Sequence, residues 1–471
     1  MRVSLEGFEL QNIVKDARGL RTRGGLQSIK TPTAGTVFVA GFTIESPFTS
    51  EPWHYLVEQS STTAVCTLRV FTEEFLELFS HNLGPLQLSP VVTYGVQTNQ
   101  IQINSPAFSR PLYGLVGGGI TNLVKATSEN ADTTALDVPS GHVCAFGDRL
   151  PIAAGNLVYF NDPGIDPRSY VAENIASFPG SIYDMCQGPG GGLYVFTSAG
   201  VYVMSADALG QGQDVSGFIS RVPGLETTRS RNAASSNGTA AVLTKTGIQI
   251  MDGKHVQVLQ PRTRRYWSKV VDVEDLRRAG ELFPTPRGFI VGFNAHRGVY
   301  LEVDTVSGVT SWVTNTTASL NVAGTLRGRD GDLMVVLRDR VVKQLGNVDY
   351  TGDIRGVASG TISFGDDMPT VRRITVKSSN IASTVGAAVN GDVDSDTSPT
   401  RSTDAVIGTA LWGTSTNHVG RDLRSTRLSF STRAESPHME VRVDGGNREI
   451  DAKVEVDLVG QGIRERSDKH S

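Results

Sequence analysis

GGLYVFTSAGVYVM, residues 191–204, is two short apolar runs separated by a turn that contains glycine. Apolar and small residues alternate in each run, and Gly200 supplies the positive φ that a tight turn needs, so the phrase has the outline of a β-hairpin. It recurs as GTAAVLTKTGIQIM at 238–251 and PRGFIVGFNAHRGVYL at 286–301, with Gly247 and Gly298 just before the second run. Looser copies are RLPIAAGNLVYF at 149–160, turning at Gly155-Asn156, and DGDLMVVLRDRVVKQL at 330–345, where Asp339-Arg340 replaces the glycine. Aligned on Val158, Val201, Ile248, Val299 and Val341, the copies stand 43, 47, 51 and 42 residues apart. A four-stranded β-propeller blade takes about 40–50 residues, so the repeat predicts a ring of blades.

Composition narrows the class. A chain of 471 residues exceeds one ordinary core, although a propeller absorbs most of that length. Lys and Arg total 44 against 48 Asp and Glu, a net charge of −4 that argues against a general nucleic-acid binder. The 51 glycines, frequent Thr, Val and Ser, and scarcity of long helical stretches predict a mainly β protein. Cys66, Cys144 and Cys186 are odd in number and far apart, without a CxxC pair. They read as small buried side chains in a reducing compartment, not as a disulfide framework or a zinc site. The N-terminus lacks an apolar core and does not read as a signal peptide, and no run nears the ~20 apolar residues of a membrane span. The expectation is a soluble protein.

Four regions follow. Residues 1–35 are polar and Arg/Gly-rich and read as an extended N-terminal arm. Residues 36–349 read as the propeller-like domain, with six or seven blades that are clearest over 142–346. Before that stretch the phrase is weak. Its best candidate is RPLYGLVGGGITNLV (110–124), and FTEEFLELF (71–79) suggests a short helix with Phe71, Phe75 and Phe79 on one face. VDVEDLRRAGELF (271–283) predicts a helix inserted in the repeat, capped by Asp272, acidic early and basic late, with Gly280 as a stop. From about Tyr350 longer alternating strands predict a C-terminal β-sandwich over 350–460, and 461–471 reads as a disordered tail.

No motif carries catalytic chemistry. Asp392, Asp394 and Asp396 resemble the start of a calcium loop, but Thr397 and Thr403 stand where the loop needs Gly and Glu. GPGGG at 188–192 precedes a strand and lacks the Lys-Ser/Thr of a phosphate loop, so it reads as a turn. The Asp box of propeller glycosidases is absent, since Asp304 and Gly308 in VDTVSGVTSW are four apart, not two. There is no Gly-x-Ser-x-Gly elbow and no His-Glu-x-x-His helix, and His142 near Cys144 reads as chance. The expectation is a non-enzyme without metal or cofactor. PRTRRYW (261–267) sets Arg262, Arg264 and Arg265 beside Tyr266 and Trp267, a composition suited to a protein interface. A solvated turn, or a grip on nucleic acid, are the alternatives.

The order of these features resembles the tail hub or nozzle proteins of short-tailed bacteriophages, the P22-type packaged-DNA-stabilisation hub and the T7-type tail nozzle. LQNIVKDARGLRTRGGLQSI is similar to their opening, an Asn-containing strand leading into an Arg-x-Gly-Leu phrase, with Gly24 where those proteins often have Pro. SIYDMCQGPGGGLYVFTSAGVYVMS resembles their central hairpin. RYWSKVVDVEDLRRAGELFPTPRGFIVGFNAHRGVYLEVDTVSGVTSWV resembles their helix, strand and "Val-Tyr-Leu-x-x-Asp … Ser-Trp" hairpin, and ISFGDDMPTVRRITVKSS their sandwich opening. The resemblance spans about 10–445 with soft motifs.

It implies a structural ring subunit, in a homohexamer, at the virion tail below the portal and adaptor (connector), made in the host bacterial cytoplasm. Such a ring forms the DNA exit channel, helps retain packaged DNA, and docks tail spikes or fibres and a plug or needle protein. DNA passes without sequence-specific binding, and a strongly basic wall would hold it by phosphate contacts, so lumen-facing positions are expected to be neutral or acidic on balance. Two other readings compete: a propeller-based glycan-binding or glycan-degrading phage protein, and a cellular propeller acting as an interaction adaptor.

Overall fold

The computed structural model describes residues 9–457 apart from 17–18, 47–48, 87–90, 98, 123–135, 162–167, 206–218, 226–230, 237, 246, 253–254, 260–275, 294–297, 316–318, 346–353, 362–369, 379–383, 391–402, 407–423, 434–437 and 445–449. The chain forms two compact units, one of residues 28–306 and 318–343, the other of 1–27, 307–317 and 344–471.

The first unit is a seven-bladed β-propeller. Five blades are consecutive antiparallel four-strand meanders, at 36–85, 93–122, 142–177, 182–222 and 233–259. The sixth places Gly280–Thr285, Gly288–Phe293 and Val299–Asp304 in this unit. The seventh runs Val322–Arg327, Leu333–Leu337 and Val341–Gln344, and its outer strand is Leu26–Lys30, drawn from the opposite end of the sequence. The innermost strands of the seventh and first blades pair in parallel at Gly324 and Gly41. This approach needs glycine at 324, because a Cβ there would strike the Gly41 backbone, while a Cβ on Gly41 would press on the Val336 side chain.

The fourth blade shows why the hairpin phrase repeats. Its second strand, Leu193–Thr197, is buried at every position. Leu193 and Val195 pack on one side among Val158, Phe160 and Phe178 of the third blade. Tyr194 and Phe196 point the other way, among Ala240, Val242 and Met251 of the fifth. A strand between two sheets is apolar on both faces, hence a nearly continuous apolar run. Each such side chain contributes about 2 kcal/mol by leaving water. The five repeat copies are the second and third strands of blades three to seven, and Val158, Val201, Ile248, Val299 and Val341 all lie on third strands.

The second blade is out of phase with its phrase. RPLYGLVGGGITNLV covers its third and fourth strands, Leu112–Leu115 and Ile120–Asn122, whereas its second strand is Gln100–Asn104. That strand carries Gln102 and Asn104 inward, which hides its apolar pattern. FTEEFLELF is a hairpin, not a helix. Val65–Phe71 turns through residues 72–76 into Glu77–Pro85, with Phe75 at φ 61°. The four-residue spacing of the phenylalanines arises because Phe75 folds back 6.3 Å from Phe71 and 5.0 Å from His54. Among the described residues the inserted helix is Leu276–Ala279. The residues that its proposed cap would use, 271–275, lie outside those described, and Gly280 opens a strand.

The second unit is a β fold of two larger sheets and one two-stranded hairpin, assembled from three pieces of chain. One sheet orders Val309–Thr314, Glu9–Gln11, Arg355–Thr361, His438–Asp444, Thr384–Asn390 and Thr403–Val406. The other places Thr370–Ser378 between Arg424–Arg433 and Ile450–Asp457. The sandwich is therefore not confined to 350–460. The expected arm is instead strand: Glu9–Gln11, the hairpin Ile13–Asp16 with Gly19–Thr22, and Leu26–Lys30. Its polar sequence is accommodated because Arg23, fully buried, donates from Nε to Asn12 Oδ1 at 2.9 Å, from Nη1 to the Gly24 carbonyl at 2.9 Å and from Nη2 to the Thr314 carbonyl at 3.3 Å. The tail 461–471 and Asp392, Asp394 and Asp396 lie outside the described residues.

Candidate functional site: the central cavity of the propeller

The first strand of every blade faces the propeller axis, and together they enclose a cavity of about 900 Å³. Its walls are mostly backbone and small or apolar side chains, among them Phe42, Tyr94, Ala233 and Leu282. Phe42 and Tyr94 stack at 4.3 Å. Exposed Glu45, Gln187, Gly190, Gly238 and Arg327 mark where the cavity meets solvent. There Arg327 Nε lies 3.4 Å from Glu45 Oε1.

Arg231 bridges part of this space. It precedes the first strand of the fifth blade with φ 63°, the left-handed region that non-glycine residues rarely adopt. Nη1 donates to Glu281 Oε2 on the sixth blade at 2.9 Å, and Nη2 donates to the Val39 carbonyl on the first blade at 3.2 Å. One side chain thus ties three blades across the axis. Its backbone carbonyl accepts from Leu282 N at 2.7 Å, which fixes the turn.

A second group of polar side chains sits on the third and fourth blades. His142 lies on the strand His142–Val143 with Cys144 just beyond its end, and Asp184 and Cys186 are two apart on the strand Ile182–Gln187, so that second pair shares a strand face. His142 Nδ1 lies 3.9 Å from Asp184 Oδ1. Asp184 accepts one hydrogen bond, from Met185 N at 2.8 Å. Burial pushes its carboxyl up to about 7, against the pull of that bond and of the Arg231 charge. Burial lowers His142 to about 4, so its ring is neutral near pH 7. Burial raises both thiols, Cys144 well above its ordinary value; the Asp184 charge adds to both rises, and Cys186 adds to that of Cys144. Neither is a thiolate nucleophile.

All three cysteines are free and buried, as their spacing led us to expect. Among the described residues no three His, Cys, Asp or Glu side chains converge on a metal position. GPGGG connects the first two strands of the fourth blade, closed by Gly188 N donating to the Gly192 carbonyl at 2.9 Å, with Gly190 and Gly191 at positive φ. Arg262, Arg264, Arg265, Tyr266 and Trp267 lie outside the described residues. Asp184, Arg231 and Glu281 escaped sequence reasoning. A signal did exist for one pair of walls, since HVC at 142–144 and DMC at 184–186 stand 42 residues apart, one blade length.

No family model matches the chain, and no curated protein matches it. Solved structures do. The streptogramin B lyase structure aligns at TM-score 0.42 and 8% identity, over 68% of this chain and 97% of that one. The WD40 repeats of RRP9 align at TM-score 0.39 and 8% identity, over 68% and 99%. An exo-β-1,3-galactanase from Phanerochaete chrysosporium, solved with galactose, aligns at TM-score 0.29 and 10% identity, over 92% and 100%. The propeller assignment stands on strand order and register. No helix among the described residues is long and apolar enough to cross a membrane.

Proposed function

We propose that this chain is a structural, non-enzymatic subunit of the tail hub or nozzle ring of a short-tailed bacteriophage. One observation carries the reading: two phrases that bear the resemblance, some 300 residues apart, meet in a single buried polar cluster. Asn12 belongs to the opening phrase and Ser311-Trp312 closes the hairpin phrase. Asn12 N donates to the Trp312 carbonyl at 2.6 Å, and Ile13 N to Ser311 Oγ at 3.3 Å. Asn12 Nδ2 donates to Thr314 Oγ1 at 3.0 Å, while its Oδ1 accepts from Thr314 N and Arg23 Nε. A solvated arm would carry no reason for Asn and Arg at those places. A buried knot does, because each unsatisfied polar group inside a protein costs about 1–3 kcal/mol.

On this reading six copies close a ring whose central hole passes DNA, with the adaptor above and spikes or fibres and a plug on its outer and lower surfaces. The propeller's own cavity is not that hole, because Arg231 spans it from the fifth blade to the first. The deciding experiment is the assembled mass of the purified protein, with and without the capsid connector, alongside negative-stain images. Closed rings of about six subunits with a central hole are expected. A stable monomer that ignores the connector would sink the proposal, and host polysaccharide cleaved to new reducing ends would replace it with the glycan-degrading reading.

A further inference from the structure

We propose that the corner shared by the first and second blades docks the segment PRTRRYW, residues 261–267, of a second copy of this chain. The inference rests on the ring reading and says which two surfaces would join neighbours in it. Among the described residues six large apolar side chains are exposed, and three of them belong to this corner. Leu76 is 65% and Leu78 47% exposed where the third strand of the first blade turns into the fourth. Leu115, 50% exposed, ends the third strand of the second blade. Phe79, next to Leu78, and Val116, next to Leu115, are half-buried and pack on the one core that the two blades share. The Trp53 ring of the first blade lies against Gly117 of the second, where a Cβ would come within 2.8 Å of it. A lone exposed leucine needs no explanation, whereas a contiguous apolar group marks a contact surface.

The local backbone turns Leu78 to solvent. It is the extra residue of a β-bulge, since Val70 pairs with Phe79 and Phe71 with Glu77. A bulge also spoils this edge for a further strand, so the occupant docks by its side chains and does not extend the sheet. Charge names that occupant. Beside the leucines, Glu51, Glu58, Glu73, Glu74 and Glu77 share Arg69 and Arg329. Even with Lys30 counted, whose ammonium lies 4.7 Å from the Phe71 ring, the carboxylates outnumber the cations. A fitting partner is basic and apolar at once. PRTRRYW supplies Arg262, Arg264 and Arg265 beside Tyr266 and Trp267, with no acid among them.

In sequence that segment falls between Leu259, which ends the fifth blade, and Gly280, which opens the sixth, across the ring of blades from the first and second. The two surfaces of one copy are therefore different, so the contact runs head to tail and closes into a ring instead of a two-fold pair. The test is sedimentation of the full chain in four forms: native, Leu76→Asp with Leu115→Asp, Arg264→Glu with Arg265→Glu, and an equal mixture of the two variants. Native rings of about six subunits are expected, and each variant alone should fall about sixfold in mass, to a monomer. The mixture should recover a dimer and nothing larger, because it offers one intact corner to one intact segment. Rings that survive both pairs of substitutions overturn the inference and leave the ring reading standing. A native monomer overturns both. A mixture that stays monomeric shows that the two surfaces do not meet, and overturns the inference as well. Should one variant fail to fold, as judged by its thermal melt, rings that survive in the other overturn it alone.

Discussion

The two units bury their residues by opposite chemistry. In the propeller, neighbouring blades press apolar faces together, and any one strand repeats what the last one did. In the other unit, the best-defined buried cluster is polar, a guanidinium, an amide and a hydroxyl that interlock segments from distant parts of the chain. Apolar burial is non-directional and tolerates rearrangement, whereas a buried polar knot works only when every partner is in place. The first kind of core writes itself into the sequence as a period. The second leaves only scattered polar residues in a segment that looks solvated.

That contrast can be broken at several points, most strongly at a blade interface. Phe196→Ala should cost about 4 kcal/mol and lower amide hydrogen-exchange protection across the fourth and fifth blades while leaving Asn12 and Thr314 protected. Arg23→Ala should do the reverse, at about 3 kcal/mol, because it removes the guanidinium donors of the Thr314 and Gly24 carbonyls and leaves Asn12 Oδ1 with Thr314 N alone. Equal loss of protection in both units from either substitution would erase the distinction. Gly324→Ala should cost about 2 kcal/mol, since the new methyl group meets the Gly41 backbone where the ring closes. Tyr170→Phe tests a polar contact placed inside the propeller. Its hydroxyl lies 2.6 Å from the Leu150 carbonyl and 2.9 Å from Gln102 Oε1, and its loss should cost about 1 kcal/mol in a denaturant melt.

The subtlest test uses pH. Burial depresses His54 and His142 to about 4, so both contribute stability above pH 6.5 that is lost as pH falls towards 4. Asp184 works the other way. Its folded value near 7 exceeds its unfolded one, so its contribution is greatest in acid and is lost as pH rises through 7. The opposed groups flatten the propeller's pH profile in one window. Asp184→Asn should therefore steepen the fall in stability between pH 7 and 4 and raise stability at about pH 8, as read by thermal melts.

Much of the propeller was legible because second and third strands are buried on both faces, as in Leu193–Thr197 and Gly200–Met204. The inner strands were less so. They face a cavity on one side, and Ala233–Ser236 or His142–Val143 carry too few apolar residues to announce a strand. FTEEFLELF misled because a hairpin with Phe75 in left-handed backbone mimics helical spacing. The N-terminal strands misled because Asn12 and Arg23 find their partners about 300 residues later, beyond the reach of any local pattern. The cavity cluster was hidden for a related reason. Arg231, Glu281 and Val39 belong to blades five, six and one, and only the closed ring brings them together.

The outer strand of the seventh blade sets an order of events during synthesis. Leu26–Lys30 leaves the ribosome first among the strands of that blade, and its partner, Val341–Gln344, leaves last among them, roughly 310 residues later. At about 5–20 residues per second the gap is roughly 15–60 s, an interval in which an early strand waits with an open edge. The ring therefore completes only after Val341–Gln344 has been made, and its closure is a long-range step of the kind that slows folding. A ribosome stalled before Val341 would hold six blades and a loose end, a natural substrate for chaperones.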